Sequence, residues 1–273
     1  MKTPTPRRSH RALRTAGAGA AALLALSACS SSGSDSSSTK PDSSASGRLS
    51  GTVTVFAAAS LKESFTTLGK RFERAHPGTK VTFSFGGSDS LAASITGGAP
   101  ADVFASASPK TMKIVTDAGD ASGTPVTFAR NQLEIATLPG NPDRVGSLKD
   151  LTDKDLKVVL CAEEVPCGAA ARKALDASGL KLTPVSYEQD VKAALTKVEL
   201  KEADAAVVYK TDVHAAGDKV EGVEFPESAD AVNDYPITLL KGAQDTETAK
   251  AFIALVRSAE GRKVLTGAGF LKP

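Results

Sequence analysis

The chain has no tryptophan, only three tyrosines and only three histidines. Without those rings, the stacking platforms that hold sugars, bases or quaternary amines are mostly missing. The few histidines leave little for metal or general-base chemistry, and carboxylates and histidines never gather at ligand spacing. Glu163-Glu164 comes nearest, and it reads as a solvated loop pair. There is no G-x-x-x-x-G-K-[ST] loop, no dinucleotide fingerprint and no G-x-S-x-G turn. No internal repeat or coiled-coil heptad runs through the chain, and no basic block exists that could track a nucleic-acid backbone. Nucleic acid is therefore not expected as a partner.

What is present begins with an address. Residues 1–28 carry a basic head (Lys2, Arg7, Arg8, Arg11 and Arg14) and an apolar run from Ala16 to Leu26, too short to span a membrane as a stable helix. The closing Leu26-Ser27-Ala28-Cys29 resembles the lipobox of bacterial lipoproteins, which implies cleavage before Cys29 and a lipid on its sulfur. Arg7-Arg8 is a poor twin-arginine signal, because Ser9 and His10 follow where that motif wants apolar residues. Losing five positive charges with the leader turns the formal +2 into −3. Residues 29–48, rich in Ser, Asp, Thr and Gly, have nothing to bury and read as a disordered tether. The folded part follows from residue 49.

The stretch Val53 to Leu61, VTVFAAASL, reads as a buried strand turning through three alanines into a helix that begins at Ser60. A serine there is either an ordinary N-cap or, with the free amides and positive dipole end beside it, part of an anion site. Leu61, Phe65, Leu68, Phe72 and Ala75 keep helical spacing until His76-Pro77-Gly78. Lys80 to Phe85 alternates as a strand, and Gly86-Gly87-Ser88 delivers a second serine to a helix start. Ala101 to Ser106, Gln132 to Leu138, Lys157 to Leu160, Ala203 to Tyr209, Gly222 to Phe225 and Tyr235 to Leu240 read as strands. Helices are expected over Pro109 to Asp117, briefly at Leu148 to Leu151, after Gly168, from Glu188 with Asp190 in the first turn, and at the end of the chain. Alternating strands and helices imply a doubly wound α/β sheet, whose ligands sit beyond the carboxyl ends of the strands.

Cys161 and Cys167 flank a loop that feeds a helix, and in an oxidising compartment they are expected to pair. Free thiols or a metal site stay open, although no histidine lies near to complete a tetrahedral set. A serine hydrolase needs a base, and only His76 and His214 lie beyond the leader, in a turn and in a polar stretch. What recurs instead is neutral donors at helix starts, which hold an anion by amides and dipoles. Such an arrangement binds and releases rather than reacts.

The stretches VTVFAAASL, FGGSDSLA, GAPADVFASA, EEVPCGAAARKAL, YEQDVKAAL and AAVVYKTD, in this order, are similar to the periplasmic molybdate-binding proteins of ABC transporters, the ModA family. The likeness covers essentially all of Gly51 to Lys272. It implies a two-lobed type II periplasmic binding protein (a Venus flytrap) of α/β class, each lobe a mixed, mostly parallel sheet flanked by helices. It places residues 49–130 and 236–273 in lobe 1 and 131–235 in lobe 2, with crossings near Ala129 to Asn131 and Asn233 to Pro236. By the same resemblance the ligand is molybdate or tungstate, with no cofactor, no catalytic residue and no side-chain-ligated metal. The ligand contacts it implies are the Ser60, Ser88 and Tyr209 hydroxyls and the backbone amides of Cys167 and Val191. The partners it implies are an ABC permease with its ATPase, and the membrane through the lipid anchor; the location is extracytoplasmic and the protein a monomer. Two departures stand out. A small residue such as alanine is common where Cys167 stands. Asp89, beside Ser88, is expected to face solvent; turned inward, it would repel a dianion yet accept the proton of hydrogen phosphate.

Overall fold

The computed structural model describes residues 49–273. The leader, the tether and the lipidation candidate Cys29 lie outside the described residues. In chain order the elements are β1 (Gly51–Ala58), α1 (Lys62–Ala75), β2 (Thr79–Gly86), α2 (Ser88–Thr96), β3 (Val103–Ala105), α3 (Pro109–Asp117), β4 (Ala121–Asn131), β5 (Leu133–Thr137) and β6 (Val158–Cys161). They continue with α4 (Pro166–Ser178), β7 (Ser186–Glu188), α5 (Val191–Glu199), β8 (Ala205–Tyr209), α6 (Lys210–Ala216), β9 (Glu221–Val223), β10 (Asn233–Leu240), α7 (Thr246–Arg257) and α8 (Ala259–Gly267).

Two five-stranded sheets share one plan. The first runs β2-β1-β3-β10-β4 and the second β7-β6-β8-β5-β9. In the first, β1 pairs in parallel with β2 and β3, while β10 lies antiparallel between β3 and β4. In the second, β6 pairs in parallel with β7 and β8, while β5 lies antiparallel between β8 and β9. Four strands of each sheet thus point one way and a single strand opposes them. The opposing strand is in each case the one that enters just after the chain crosses between lobes: β5 follows β4 across, and β10 brings the chain back.

Each sheet has its own core. In the first lobe the helical stripe of α1, Leu61, Phe65, Leu68 and Phe72, is buried as its spacing requires. Phe252 of α7 meets Phe65 and Phe72 edge-on, with ring centroids 6.0 and 5.7 Å apart. In the second lobe the aliphatic strands β5, β6 and β8 pack against the alanine face of α4 and against Ala194, Leu195 and Val198 of α5. Helix starts carry their own chemistry: Ser108 accepts from the amide of Thr111, and Asp245 from that of Thr248.

Two expectations are corrected, and one strand is found that the sequence did not announce. Ser60 does not begin the long helix; β1 runs on to Ala58 because it is paired that far with β2, and Ser60 sits in a single 3-10 turn, Ala59–Leu61, before α1. Asp190 is the N-cap of α5 rather than a first-turn acid. His214 is exposed as expected, on α6. β4 is an eleven-residue strand although its Ser122-Gly123-Thr124-Pro125 start lacks alternation; pairing with β10 overrides weak local propensity.

Candidate functional site

The strand registers bring the candidate residues together. Ala58 of β1 lies opposite Gly86 of β2, so the residues two further along each strand, Ser60 and Ser88, emerge side by side. Ala57 lies opposite Ala105 of β3, and two residues on, the amide of Ala107 donates to Ser88 Oγ at 3.0 Å. In the other lobe Cys161 of β6 pairs with Glu188 of β7, so the loops into α4 and α5 leave the sheet together. β8 ends at Tyr209. All five candidates therefore stand at the carboxyl ends of strands, where a doubly wound sheet opens its crevice.

Three helix starts present spare amides. Val165, the N-cap of α4, has no side chain that can cap, so the first-turn amides of that helix, Cys167 among them, lack an internal cap. Gly87 leaves α2 uncapped in the same way. On α5 the Asp190 carboxylate accepts from Lys192 and Ala193 at 2.8 and 3.0 Å, which leaves the amide of Val191 over. The side chain of Val191 is buried in the lobe core, so packing and amide presentation coexist at that residue. Cys161 and Cys167 are joined by a disulfide, which fixes the loop ahead of α4. Gly168 is required there: a Cβ would fall 1.9 Å from the carbonyl oxygen of Ala162.

Ser60, Ser88, Cys167, Val191 and Tyr209 all line one cavity between the lobes. It is small, about 10 Å³ for the centre of a water-sized sphere and about 200 Å³ counting all empty space around it. That suits a small ion and excludes a sugar, nucleotide or peptide, whose sites run to several hundred Å³. The lobes are close here: a Cβ on Gly87 would fall 2.5 Å from the carbonyl oxygen of Gln189 on the other lobe. No lysine, arginine or histidine is among the lining residues. The positive field comes from amide and hydroxyl dipoles. Burial pushes the phenols of Tyr209 and Tyr235 well above their usual range, so both keep their protons. Asp89 does not turn fully to solvent as expected; it is half-buried, its Oδ1 is buried without a hydrogen-bond partner beside Gly87, and it is not part of the cavity lining.

Residues 53–271 match the model of the family described as bacterial extracellular solute-binding protein. The chain belongs to that family. It is 44% identical over 238 residues to the molybdate-binding protein ModA of Mycobacterium tuberculosis H37Rv, covering 86% of this chain and 91% of the relative. The ModA protein of Haemophilus influenzae is 33% identical over 81% of this chain and 90% of its own length. The periplasmic molybdate-binding protein of Azotobacter vinelandii superposes with a TM-score of 0.71 at 22% identity, covering 81% of this chain and 99% of that one. The resemblance and the fold class expected from the sequence are both met.

For a member of this family, the parts that sequence reasoning missed lie behind the cleft. Asn131 and Asn233 are direct cross-strand partners where β4 and β10 meet. Around them, Asn131 donates to Thr211 at 2.8 Å and to Tyr235 at 3.3 Å, Tyr235 and Ser60 share a hydrogen bond of 2.9 Å, and Asn233 donates to Tyr209 at 2.7 Å. The available signal was the placing of both crossings over these segments. Lys192, one residue beyond Val191, was also missed; it lies 3.0 Å from Glu63 of the first lobe and 3.0 Å from Asp212 of its own.

Other chemistry is poorly served. Neither serine hydrogen-bonds to a histidine among the described residues: Ser60 pairs with Tyr235, and Ser88 with the Ala107 amide. Among the described residues no cluster of three or more His, Cys, Asp or Glu could hold a metal ion. A roomier groove of about 360 Å³ lies between α1, α6 and α8, lined by Ser64, Thr67, Thr211 and His214 beside Glu63, Val264 and Phe270, and Ser60 is the one candidate residue that reaches it. No helix among the described residues is long and apolar enough to cross a membrane.

Proposed function

We infer that this protein captures molybdate, and tungstate in the same way, between its lobes and delivers it to an ABC permease with its ATPase. The observation that carries the reading is the convergence of five neutral donors, three hydroxyls and two amides from both lobes, on one ion-sized cavity with no cationic lining residue. A tetrahedral dianion matches such a set, because its oxygens can accept from amides and hydroxyls, and the one carboxylate in the lining, Asp190, turns its Oδ1 to the amides of Lys192 and Ala193. The name borne by the 44%-identical mycobacterial relative supports molybdate in particular. In this reading Ser60, Ser88 and Tyr209 donate through their hydroxyls, and Cys167 and Val191 through their amides. The lipid on Cys29 holds a monomer to the outer face of the cell membrane, and the tether gives the lobes reach to the permease.

Titration calorimetry with molybdate, tungstate, sulfate and phosphate tests it. Molybdate and tungstate are expected to bind, with sulfate much weaker because the cleft closes best on the larger ion. A ligand at a hundred times its Kd also adds about 2.7 kcal/mol of stability, which a thermal shift detects. Sulfate bound as tightly as molybdate would overturn the selectivity, and no heat or thermal shift with any of the four would overturn anion capture.

A further inference from the structure

Gly87 is a glycine for the sake of the other lobe. Its φ of −59° and ψ of 133° are open to any residue, so its own backbone does not call for one. A Cβ there would stand 2.5 Å from the carbonyl oxygen of Gln189, a backbone atom that yields little, and 2.7 Å from Asp89 Oδ1. Gly87 and Asp89 belong to the start of α2 on the first lobe, while Gln189 comes just ahead of α5 on the second. The lobes meet at a point where no side chain fits between them.

Two acceptors crowd that point. Asp89 Oδ1 is shut off from solvent, and no group among the described residues donates a hydrogen bond to it. Its second oxygen, Oδ2, accepts from the Ser90 hydroxyl at 3.3 Å. The Gln189 carbonyl oxygen also carries partial negative charge, so a carboxylate pressed towards it from the other lobe is repelled, and burial leaves that repulsion poorly screened. The positive end of α2 accounts for an acid in its first turn, but not for a carboxylate oxygen turned into the seam without a donor. Contacts of the opposite sign draw the lobes together nearby: Lys192 lies 3.0 Å from Glu63, and Ala59 of the first lobe packs into the core of the second.

We propose that Gly87 and Asp89 are positioning residues for capture and release: Gly87 lets the lobes meet, and Asp89, driven against the Gln189 carbonyl as they do, pushes them apart again. The proposal rests on the anion-capture reading and adds how the ion is let go. While the anion is held, its hydrogen bonds to both lobes outweigh the repulsion at the seam. Once it leaves, the repulsion favours opening. Neither Asp89 nor Gln189 lines the cavity, so their contact acts on closure and not on the hydrogen bonds to the ion itself.

The test compares wild type with Asp89→Asn, Asp89→Ala and Gly87→Ala, taking molybdate affinity from calorimetry and entry and release rates from stopped flow, in low salt and in 1 M salt. Asp89→Asn removes the charge and sets an NH2 where it can donate to the Gln189 carbonyl. It is expected to release molybdate at least about fivefold more slowly and to bind it at least about fivefold more tightly at both salt levels. Asp89→Ala removes the charge alone, so its release should be at least about twofold slower than wild type and faster than that of Asp89→Asn. Gly87→Ala props the seam open. It is expected to bind at least about tenfold more weakly and release faster, while the ligand-free variant unfolds no more easily than wild type.

If Asp89 merely repels the incoming anion, Asn and Ala speed entry alike, release stays put, and the effect fades in 1 M salt. That result would overturn the proposal, and so would an Asp89→Ala that releases as wild type does. A Gly87→Ala that binds as wild type does would overturn it too, because the lobes would then not meet there; should that variant fail to fold, the two Asp89 variants decide. The two readings fail separately. A wild type that ignores molybdate sinks molybdate capture, and the same rates are then read with sulfate. If neither anion binds, small-angle scattering of the ligand-free proteins decides: Asp89→Asn is expected to be more compact than wild type, and identical profiles would overturn the proposal.

Discussion

The ammonium group of Lys192 on one lobe lies 3.0 Å from the carboxylate of Glu63 on the other, beside the helix start that presents the Val191 amide. Burial works against the Lys192 charge, but the carboxylates of Asp212 and Glu63 outweigh it and raise the pKa. The pair spans the cleft and so favours the closed arrangement in which the ligand is held. Glu63 is about half exposed, which limits the gain to that of a surface ion pair, about 0.5 kcal/mol. Glu63→Gln is expected to weaken ligand affinity about two- to threefold at low salt and hardly at all in 1 M salt. Calorimetry at two ionic strengths checks it; a loss that persists at high salt would mean the contact acts by packing.

Asp212 is fully buried, and desolvation raises its pKa to about 6 despite the opposing pull of Lys192. An unfolded aspartate releases its proton near about 3.9, so between these values the folded state holds the proton and the unfolded state does not. Stability from this residue is therefore full below about pH 4 and declines as pH rises to about 6.5. Asp212→Asn removes that decline. Measured by urea unfolding, the variant should gain about 3 kcal/mol on the wild type between pH 4 and pH 7. A difference that is flat or reversed would show that Lys192 keeps Asp212 ionised throughout.

In the proposed site Ser60 and Ser88 each give a hydroxyl proton to the ligand. Replacing either by Ala removes a donor to a charged ligand, worth about 1.5–3 kcal/mol, or between about ten- and a hundredfold in affinity. The ligand-free protein should also lose about 1–3 kcal/mol, because the Tyr235 hydroxyl or the Ala107 amide loses its buried partner, so affinity is compared at a temperature where each variant is fully folded. An affinity loss under threefold in both variants would take the hydroxyls out of the site.

The Cys161–Cys167 bridge closes a short loop ahead of α4. Chain entropy assigns such a loop about 2 kcal/mol of stability. Reduction under native conditions should lower the unfolding free energy by roughly that amount and weaken the ligand a few-fold, because the Cys167 amide is then held less firmly. Unchanged affinity after reduction would mean that Gly168, pressed against Ala162, fixes the loop alone.

What the sequence made readable and what it hid follow from range. Ser60 and Ser88 stood out because a strand, a small-residue turn and a helix start are all local patterns. The stripe from Leu61 to Phe72 is local in the same sense. β4 escaped because its stability comes from β10, more than a hundred residues later, and β7 because three residues are too few to show alternation. α6, with its KTDVHAA, has no apolar stripe to announce it. The asparagines behind the cleft were invisible as a pair: only the antiparallel register sets Asn131 against Asn233, and only the backbone groups around them decide which way each amide points.

The most direct measurement is a crystal grown with molybdate and examined at wavelengths on either side of the molybdenum absorption edge. One strong anomalous peak is expected in the cavity bounded by Ser60, Ser88, Cys167, Val191 and Tyr209, with oxygens in hydrogen-bond reach of all five. A peak elsewhere, or that cavity holding only water while molybdate is present in excess, would contradict the account.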